Sequence, residues 1–299
     1  MVDNGSSHSR APLDLWVGGQ TFDDSARVVM AVVNRTPDSF FDRGSTFAHA
    51  AAMDAVTEAV DAGASIIDIG GVKAGPGDDV DVGEELARTV DFVETVRELH
   101  PTVVISVDTW RHEVGDAVCR AGADLLNDAW GGHDPELVHV AAAHGVGVVC
   151  THTGGAAPRS RPHRVQYDDV VTAVADFLEQ EAARAEAAGV DAHRILIDPG
   201  HDFGKNTRHS LEVTRHLDRL VASGRPVLVS LSNKDFVGET LDLPVDERLI
   251  GTLATTAVSA WLGARIFRAH QVRQTAQVLT MVRALAGLQG PAVARRGLA

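Results

Sequence analysis

Residues Val28-Val-Met-Ala-Val-Val-Asn34 run directly into Arg35-Thr-Pro-Asp-Ser-Phe40, and this junction indicates the architecture of the chain. The first six residues are apolar and rich in β-branched side chains, which is typical of a buried strand. The polar residues that follow offer an amide, a hydroxyl and a carboxylate, and an alanine-rich helical pattern begins near residue 48. A buried strand that ends in a polar loop before a helix is where α/β proteins bind ligands.

The same arrangement recurs along the whole chain. Apolar runs occur at residues 28–33, 65–69, 103–107, 125–126, 146–150, 195–197, 227–231 and 266–267. Helical spacing of apolar residues follows these runs at 48–62, 83–99, 112–121, 135–144, 170–188, 210–222, 247–262 and 272–288. Eight strand–helix units with short glycine-containing returns predict an α/β fold, a (β/α)₈ TIM barrel. An open doubly wound sheet is the alternative.

The length and composition favour one large domain. The chain has 299 residues, and 44% of them are hydrophobic. We expect one barrel domain over residues 13–290, with polar tails at 1–12 and 291–299. Two short segments, Leu15-Trp-Val17 and Gln20-Thr-Phe22, flank a Gly-Gly pair and predict an N-terminal β-hairpin that covers one mouth of the barrel.

The net charge restricts the partners. A charge of −14 argues against nucleic acid or an anionic membrane as a partner. No apolar stretch of about 18 residues is present, so no membrane helix is predicted. A small anionic ligand remains compatible with this charge, because an acidic protein can contain a local basic pocket.

Cys119 and Cys150 are interpreted as reduced buried thiols, which favours a cytoplasmic protein.

Polar side chains stand where each predicted strand ends, and these ends meet at one mouth of a barrel. They are Asn34, Asp68, Asp108, Asn127 with Asp128, Thr151 with His152, Asp198, Ser230 with Lys234, and Arg268 with His270. The carboxylates and amide among them suit a flat, nitrogen-rich ring with an amidine-like edge. Arg268 and His270, together with Asn34, suit a phosphate or pyrophosphate, with or without Mg²⁺. All three lysines, Lys73, Lys205 and Lys234, follow predicted strands.

From about Arg27 to Leu288, these residues resemble the dihydropteroate synthase family. The resemblance rests on the 34–40 stretch and on Asp68-Ile-Gly-Gly71, Ile105-Ser-Val-Asp-Thr109, Asn127-Asp128, Asp198-Pro-Gly200, Phe203-Gly-Lys205, Leu231-Ser232 with Lys234, and Arg268-Ala-His270. The resemblance implies a TIM barrel of the pterin-binding type that acts as a homodimer. It also implies a transferase of folate biosynthesis that joins p-aminobenzoate to a dihydropterin pyrophosphate.

The resemblance also implies a role for each matching residue. Asp108, Asn127, Asp198 and Lys234 would contact the pterin ring, with Phe203 at the pocket wall. Arg268 and His270 would bind the pyrophosphate, and Asn34 would bind Mg²⁺. The catalytic positions would be Asp38, beside the reacting methylene group, and Lys234.

The loops that complete the site differ from the family pattern. Where the family has Gly-Gly-Glu-Ser-Thr-Arg-Pro-Gly, this chain has Ala74 and Gly75 in place of the threonine and the arginine. After the seventh strand, Asn233 replaces an arginine, Ser230 replaces a glycine and Asp235 replaces a serine. Asp202 stands at a usual glycine. These changes predict a pterin-binding protein with weak or lost synthase activity.

Two other hypotheses remain open at this stage. One is an active synthase, including one with an altered amine substrate. The other is a non-catalytic protein that binds a pterin-like ligand and has a regulatory role. A titration with dihydropterin pyrophosphate, followed by an assay with p-aminobenzoate, distinguishes these hypotheses.

Overall fold

The computed structural model describes residues 10–36, 48–73, 75, 77–160 and 165–297. Asp38 and Ala74 therefore lie outside the described residues. The chain begins with a hairpin in which β1 (Leu15–Val17) pairs antiparallel with β2 (Gln20–Phe22). Gly18 and Gly19 have φ angles of 57° and 71°, the left-handed region that a tight two-residue turn requires. The predicted hairpin is confirmed.

Eight parallel strands follow in the described residues, in the spatial order β8-β7-β6-β5-β4-β3-β10-β9. They are β3 (Val28–Asn34), β4 (Ile66–Gly70), β5 (Val104–Asp108), β6 (Leu125–Asp128), β7 (Gly147–Thr151), β8 (Ile195–Asp198), β9 (Leu228–Ser230) and β10 (Ile266–Ala269). A parallel bridge between Ile197 and Val227 joins the two ends of this sheet. The sheet is therefore a barrel, and the predicted (β/α)₈ fold is confirmed over the open-sheet alternative.

Helices surround the barrel on its outer side. They are α1 (His49–Asp61), α2 (Val82–Leu99), α3 (His112–Ala121), α4 (Leu137–His144), α5 (Val170–Ala187), α6 (Thr207–Arg215), α7 (Leu217–Val221), α8 (Asp235–Leu241), α9 (Leu249–Trp261) and α10 (Val272–Leu285). Short 3₁₀ turns occur at Ala192–Arg194 and Val245–Glu247. No helix in the described ranges is both long and apolar enough to span a membrane.

The inside of the barrel changes from apolar to polar along the strands. At the N-terminal end, Leu15 and Val17 of the hairpin pack on one interior layer of side chains from all eight strands. The layer consists of Val28 and Met30 with Ile66, Val104, Leu125, Val149, Leu196, Leu228 and Ile266. In a strand every second side chain faces the same side. The residues two positions after this layer therefore also face inward, and many of them are polar, as in Asp68, Asn127 and Arg268.

Two helix predictions were incomplete. The single helix predicted at 210–222 is two helices, because His216 adopts φ −112° and ψ 30° between them. The apolar spacing of Val213, Leu217 and Leu220 continues across this break, so the pattern resembled one helix. Helix α8 was not predicted. Its first amides, those of Asp235 and Phe236, donate to a carboxylate from another loop.

Candidate functional site at the C-terminal mouth of the barrel

One cavity of about 380 Å³ opens at the C-terminal ends of the strands. It brings together every site residue predicted from sequence that the structure describes: Asn34, Asp108, Asn127, Asp198, Phe203, Lys234, Arg268 and His270. Asp38, predicted to be catalytic, lies outside the described residues. The side chains come from different strands and reach one space because parallel strands end at the same mouth.

The Arg268 guanidinium is at the centre of the charged network in this cavity. Its Nε donates to Oδ2 of Asp68 at 2.6 Å, and its Nη2 donates to Oδ2 of Asp108 at 3.0 Å. Asp68 is fully buried, with 0% of its surface exposed, and also accepts from Ser106 Oγ at 2.6 Å. Asn127 Nδ2 lies 3.2 Å from Oδ2 of Asp68. Asp68 thus orients both Arg268 and Asn127.

These contacts shift the pKa values of the two charged partners in the cavity. Burial raises the pKa of Asp108 to about 7, with Arg268 opposing the rise and Asp68 adding to it. Burial alone disfavours the charge on Arg268, but the carboxylates of Asp68 and Asp108 raise its pKa. Arg268 is therefore always a cation, whereas Asp108 changes its charge near neutral pH.

Asp198 forms a second polar group on the opposite arc of the barrel. Its Oδ1 accepts from the backbone N–H of Gly200 at 2.7 Å, and its Oδ2 accepts from Ser230 Oγ at 3.1 Å. Burial raises the pKa of Asp198, although the Gly200 amide and Lys234 oppose the rise. Its ladder neighbour on β7 is Thr151, which also lines the cavity.

An aromatic wall stands beside these polar groups. The Phe203 ring packs edge-on against Trp130, with ring centroids 5.1 Å apart. Lys234 Nζ lies 4.3 Å from the centroid of the Phe203 ring and donates to the carbonyl of His201 at 2.9 Å. Burial lowers the pKa of Lys234, while Asp202 and Asp198 oppose that effect. A flat ring in the cavity would meet an aromatic face and an ammonium group together.

All three lysines of the chain line this cavity: Lys73, Lys205 and Lys234. Lys205 Nζ lies 2.6 Å from His152 Nδ1 and donates to the carbonyls of Gly200 and Phe203, each at 3.1 Å. Burial lowers the pKa of Lys205 to about 7. Lys205 therefore links the loop after β8, which carries Phe203, to His152 in the loop after β7.

The end of the cavity predicted to bind pyrophosphate contains Asn34, Thr36, Arg268 and His270. His270 Nδ1 lies 3.0 Å from Ser232 Oγ. Burial, with help from Arg268 and Lys234, lowers the pKa of His270 to about 3, so its imidazole is neutral at pH 7. Arg268 contributes positive charge at this end, and Asp68 and Asp108 already neutralise it in part. Lys73, in the loop after β4, also lines the cavity.

The altered loop residues fall into two groups. Gly75, Asp202, Ser230 and Asp235 line the cavity. Asn233, by contrast, is buried away from the cavity, where its Nδ2 donates to Gln271 Oε1 at 3.4 Å. Its backbone has a φ of 56°. The position where the family has an arginine is therefore occupied here by a side chain that packs inside the protein.

Asp202 changes the electrostatics of the loop after β8. Its Oδ2 accepts from the amides of Asp235 at 2.7 Å and Phe236 at 3.3 Å, so it caps helix α8. The Asp235 carboxylate lines the cavity and pairs with Arg248 at 3.0 Å. Two carboxylates therefore stand at this rim, and Arg248 partly neutralises that of Asp235.

Sequence reasoning missed the roles of several residues here. Asp68 was recognised as a strand-end carboxylate but was assigned no contact, and Trp130 was not noticed. Because every second side chain of a strand faces inward, the sequence identifies Asp68 as an interior residue. It does not identify the partners of Asp68, which come from β5, β6 and β10.

Among the described residues, one His/Asp/Glu group has metal-ligand spacing: His112, Glu113 and Asp134. None of the three lines the cavity.

A (β/α)₈ barrel whose C-terminal mouth presents carboxylates, an amide and a lysine around an aromatic-walled cavity is a small-molecule-binding barrel. The chain matches the family model described as pterin binding enzyme over residues 30–270. It therefore belongs to the family of pterin-binding enzymes.

Individual relatives agree with this assignment. The chain is 56% identical to inactive dihydropteroate synthase 2 of Mycobacterium tuberculosis over 276 residues, which covers 91% of this chain and 87% of that protein. It is 39% identical to dihydropteroate synthase of Bacillus subtilis, covering 86% and 88% of the two chains. A crystal structure of Yersinia pestis dihydropteroate synthase in a sulfonamide drug complex superposes with a TM-score of 0.87 at 35% identity, covering 93% of this chain and 100% of that one.

The first prediction concerns Asp68. The change Asp68→Asn removes one of the two carboxylates that pair with Arg268. It should lower the free energy of unfolding by about 3 kcal/mol, the lower end of the range for a broken buried ion pair, because Asp108 still pairs with Arg268. Urea denaturation at pH 7 measures the loss. Ser106→Ala is the control because it removes only a neutral donor to Asp68 and should cost about 1 kcal/mol. Equal losses in the two variants would show that the Asp68 charge is not the stabilising element.

Proposed function

We propose that this protein binds a dihydropterin-like ring and has weak or no dihydropteroate synthase activity. The observation that carries the proposal is that Asp108, Asn127, Asp198 and Lys234 line one cavity beside the Phe203 ring. A buried carboxylate accepts N–H donors well and discriminates strongly against a ring that lacks them. The amide and the ammonium group supply the complementary contacts along the rest of the ring edge.

The reacting end of the cavity supports the loss of activity. Gly75 brings no charge, and the buried Asn233 side chain does not line the cavity. Losing a charge-assisted hydrogen bond to a phosphate costs about 1.5–3 kcal/mol, and about 1.4 kcal/mol corresponds to a tenfold change in rate. The carboxylates of Asp202 and Asp235 also repel an anionic aminobenzoate at the rim. The M. tuberculosis relative, which is named inactive, supports the same conclusion.

Mg²⁺ is proposed only as a companion of a pyrophosphate-bearing ligand. Asn34 offers an amide oxygen, and the buried hydroxyl of Thr36 lies two residues further along the chain. Oxygen ligands of this kind suit Mg²⁺, which usually also keeps waters and binds substrate phosphates. Asn34 would hold the ion, and the charge of the ion would favour binding of the pyrophosphate.

We also propose a cytoplasmic location, since the two cysteines, Cys119 and Cys150, are free thiols.

The direct experiment is a titration followed by an assay. Binding of 7,8-dihydro-6-hydroxymethylpterin is measured by calorimetry, and turnover is then measured with its pyrophosphate and p-aminobenzoate. We expect micromolar or tighter binding of the ring without substantial turnover. The absence of ring binding would refute the proposal. Turnover within about tenfold of an ordinary family member would favour an active synthase instead.

The second prediction follows from the raised pKa of Asp108. Both of its oxygens can accept ring N–H groups only when the carboxylate is ionised, and burial raises its pKa to about 7. Affinity for the dihydropterin should therefore fall by up to about tenfold per pH unit as the pH drops from 7 to 5.5. Asp108→Asn is the control, since any titration of the ligand persists in that variant. The same pH profile in both proteins would contradict the proposed role of Asp108 in ring binding.

The third prediction concerns restoration of the loops. The combined changes Ala74→Thr, Gly75→Arg and Asn233→Arg should raise synthase turnover by at least about tenfold, because they return groups that stabilise charge in the transition state. Adding Asp198→Asn to the triple variant should abolish the gain if turnover uses the same ring pocket. An unchanged rate in the triple variant would place the defect elsewhere, at Ser230 or Asp202.

The fourth prediction concerns assembly, since we propose a homodimer through α9 and α10. Large apolar side chains are exposed on these two adjacent helices, including Ile250 at 81%, Trp261 at 63% and Leu285 at 64%. An apolar surface of this kind is typical of a protein interface. Light scattering should give a dimer for the wild type and a monomer for Trp261→Glu. Leu99→Glu, which alters an equally exposed leucine on α2, should remain dimeric.

A further inference from the structure

One buried hydroxyl group stands out on the arc of the cavity that carries the proposed ring contacts. Thr151, the last residue of β7, lines the cavity and is only 2% exposed. Its Oγ1 has no hydrogen-bond partner anywhere in the described part of the chain. A buried hydroxyl without a partner is costly, and most such groups in folded proteins are satisfied by the protein, by water or by a ligand.

The other hydroxyls on this arc of the cavity are occupied. Ser230 Oγ donates to Asp198 at 3.1 Å, and Ser232 Oγ donates to Gln271 Oε1 at 3.2 Å. Thr36 is a second cavity residue whose hydroxyl lacks a described partner, but it follows β3, beside Asn34, at the end proposed for phosphate. Within the described residues, Thr151 is thus the unsatisfied hydroxyl on the arc of the proposed ring contacts.

Thr151 lies between two of those contacts. Strand β7 pairs with β6 on one side and with β8 on the other, and Thr151 is the direct ladder partner of Asp198. Asn127 on β6 and Asp198 on β8 line the same cavity. A ring that directs one edge nitrogen to Asn127 and the other to Asp198 turns the carbon between them towards β7. The substituent on that carbon then faces the Thr151 hydroxyl.

We propose that Thr151 binds the exocyclic substituent of the ligand ring, on the carbon between the two edge nitrogens. This inference rests on the proposed function, because it assumes that the ring occupies this cavity. A hydroxyl both donates and accepts hydrogen bonds. The ligand class is therefore a pteridine, or a related nitrogen heterocycle, with either an amino or an oxo group at this carbon. A ring with only hydrogen there leaves the Thr151 hydroxyl unsatisfied and binds more weakly.

The experiment compares three rings with different substituents on this carbon: pterin with an amino group, lumazine with an oxo group, and 4-oxopteridine with hydrogen. Each is titrated into the wild type and into Thr151→Val. We expect the valine variant to bind pterin and lumazine about two- to twelvefold more weakly. Its affinity for 4-oxopteridine should change less than twofold, because the lost hydroxyl has no counterpart on that ring.

Two controls separate recognition from packing. Thr153→Val makes the same change two residues further along, at a buried threonine that does not line the cavity, and should leave all three affinities unchanged. Urea denaturation should show that Thr151→Val is at least as stable as the wild type, because the hydroxyl has no partner in the described protein.

The outcomes distinguish this inference from the proposed function. If the wild type binds none of the three rings, the proposed function itself fails. If it binds pterin but Thr151→Val weakens all three rings equally, or none of them, the role of Thr151 is overturned and ring binding stands.

Discussion

The contact between the Arg268 guanidinium and the buried Asp68 carboxylate organises the mouth of the barrel. It joins β10 to β4 through a 2.6 Å hydrogen bond, and Asp68 in turn holds Ser106 on β5 and Asn127 on β6. Four of the eight strands are thereby linked through one carboxylate. A buried charge is tolerated only when it is paired and hydrogen-bonded, so each member of this network requires the others.

This network also limits what the cavity can do. Arg268 carries the positive charge at the end proposed for pyrophosphate, yet it already neutralises Asp68 and Asp108. The family pattern has arginines at the positions of Gly75 and Asn233, and these cations would also bind the phosphates. Here Gly75 brings no charge to that end, and the His270 imidazole is neutral at pH 7. Arg268 is thus a partly neutralised cation, which weakens its attraction for an anionic leaving group.

The two halves of the cavity therefore have different chemical characters. The ring half keeps an aromatic wall, a lysine and buried carboxylates, with Thr151 and Ser230 adding hydroxyl groups around Asp198. The outer half has gained the carboxylates of Asp202 and Asp235, one of which caps helix α8. Binding and turnover can separate in this way, because ring contacts act in the ground state whereas charge stabilisation acts mainly in the transition state.

The sequence by itself determined the barrel, the hairpin and the mouth at which the polar residues gather. Strand and helix periodicities are local, and the rule that parallel strands end at one mouth places Asp108, Asp198 and Arg268 together without further information. The sequence by itself did not determine the break at His216 or the existence of α8. The apolar spacing continues across the break, and the Asp202 cap of α8 comes from a different loop.

Only the tertiary structure decided the partners of each side chain. Asp68 was visible as a strand-end carboxylate, but its contacts lie 38, 59 and 200 residues away along the chain. The same holds for Asn233, whose buried position depends on Thr252 and Gln271, and for Thr151, whose hydroxyl lacks a described partner. Hydrogen bonds between strands depend on how the barrel closes, and closure brings together residues that no local pattern relates.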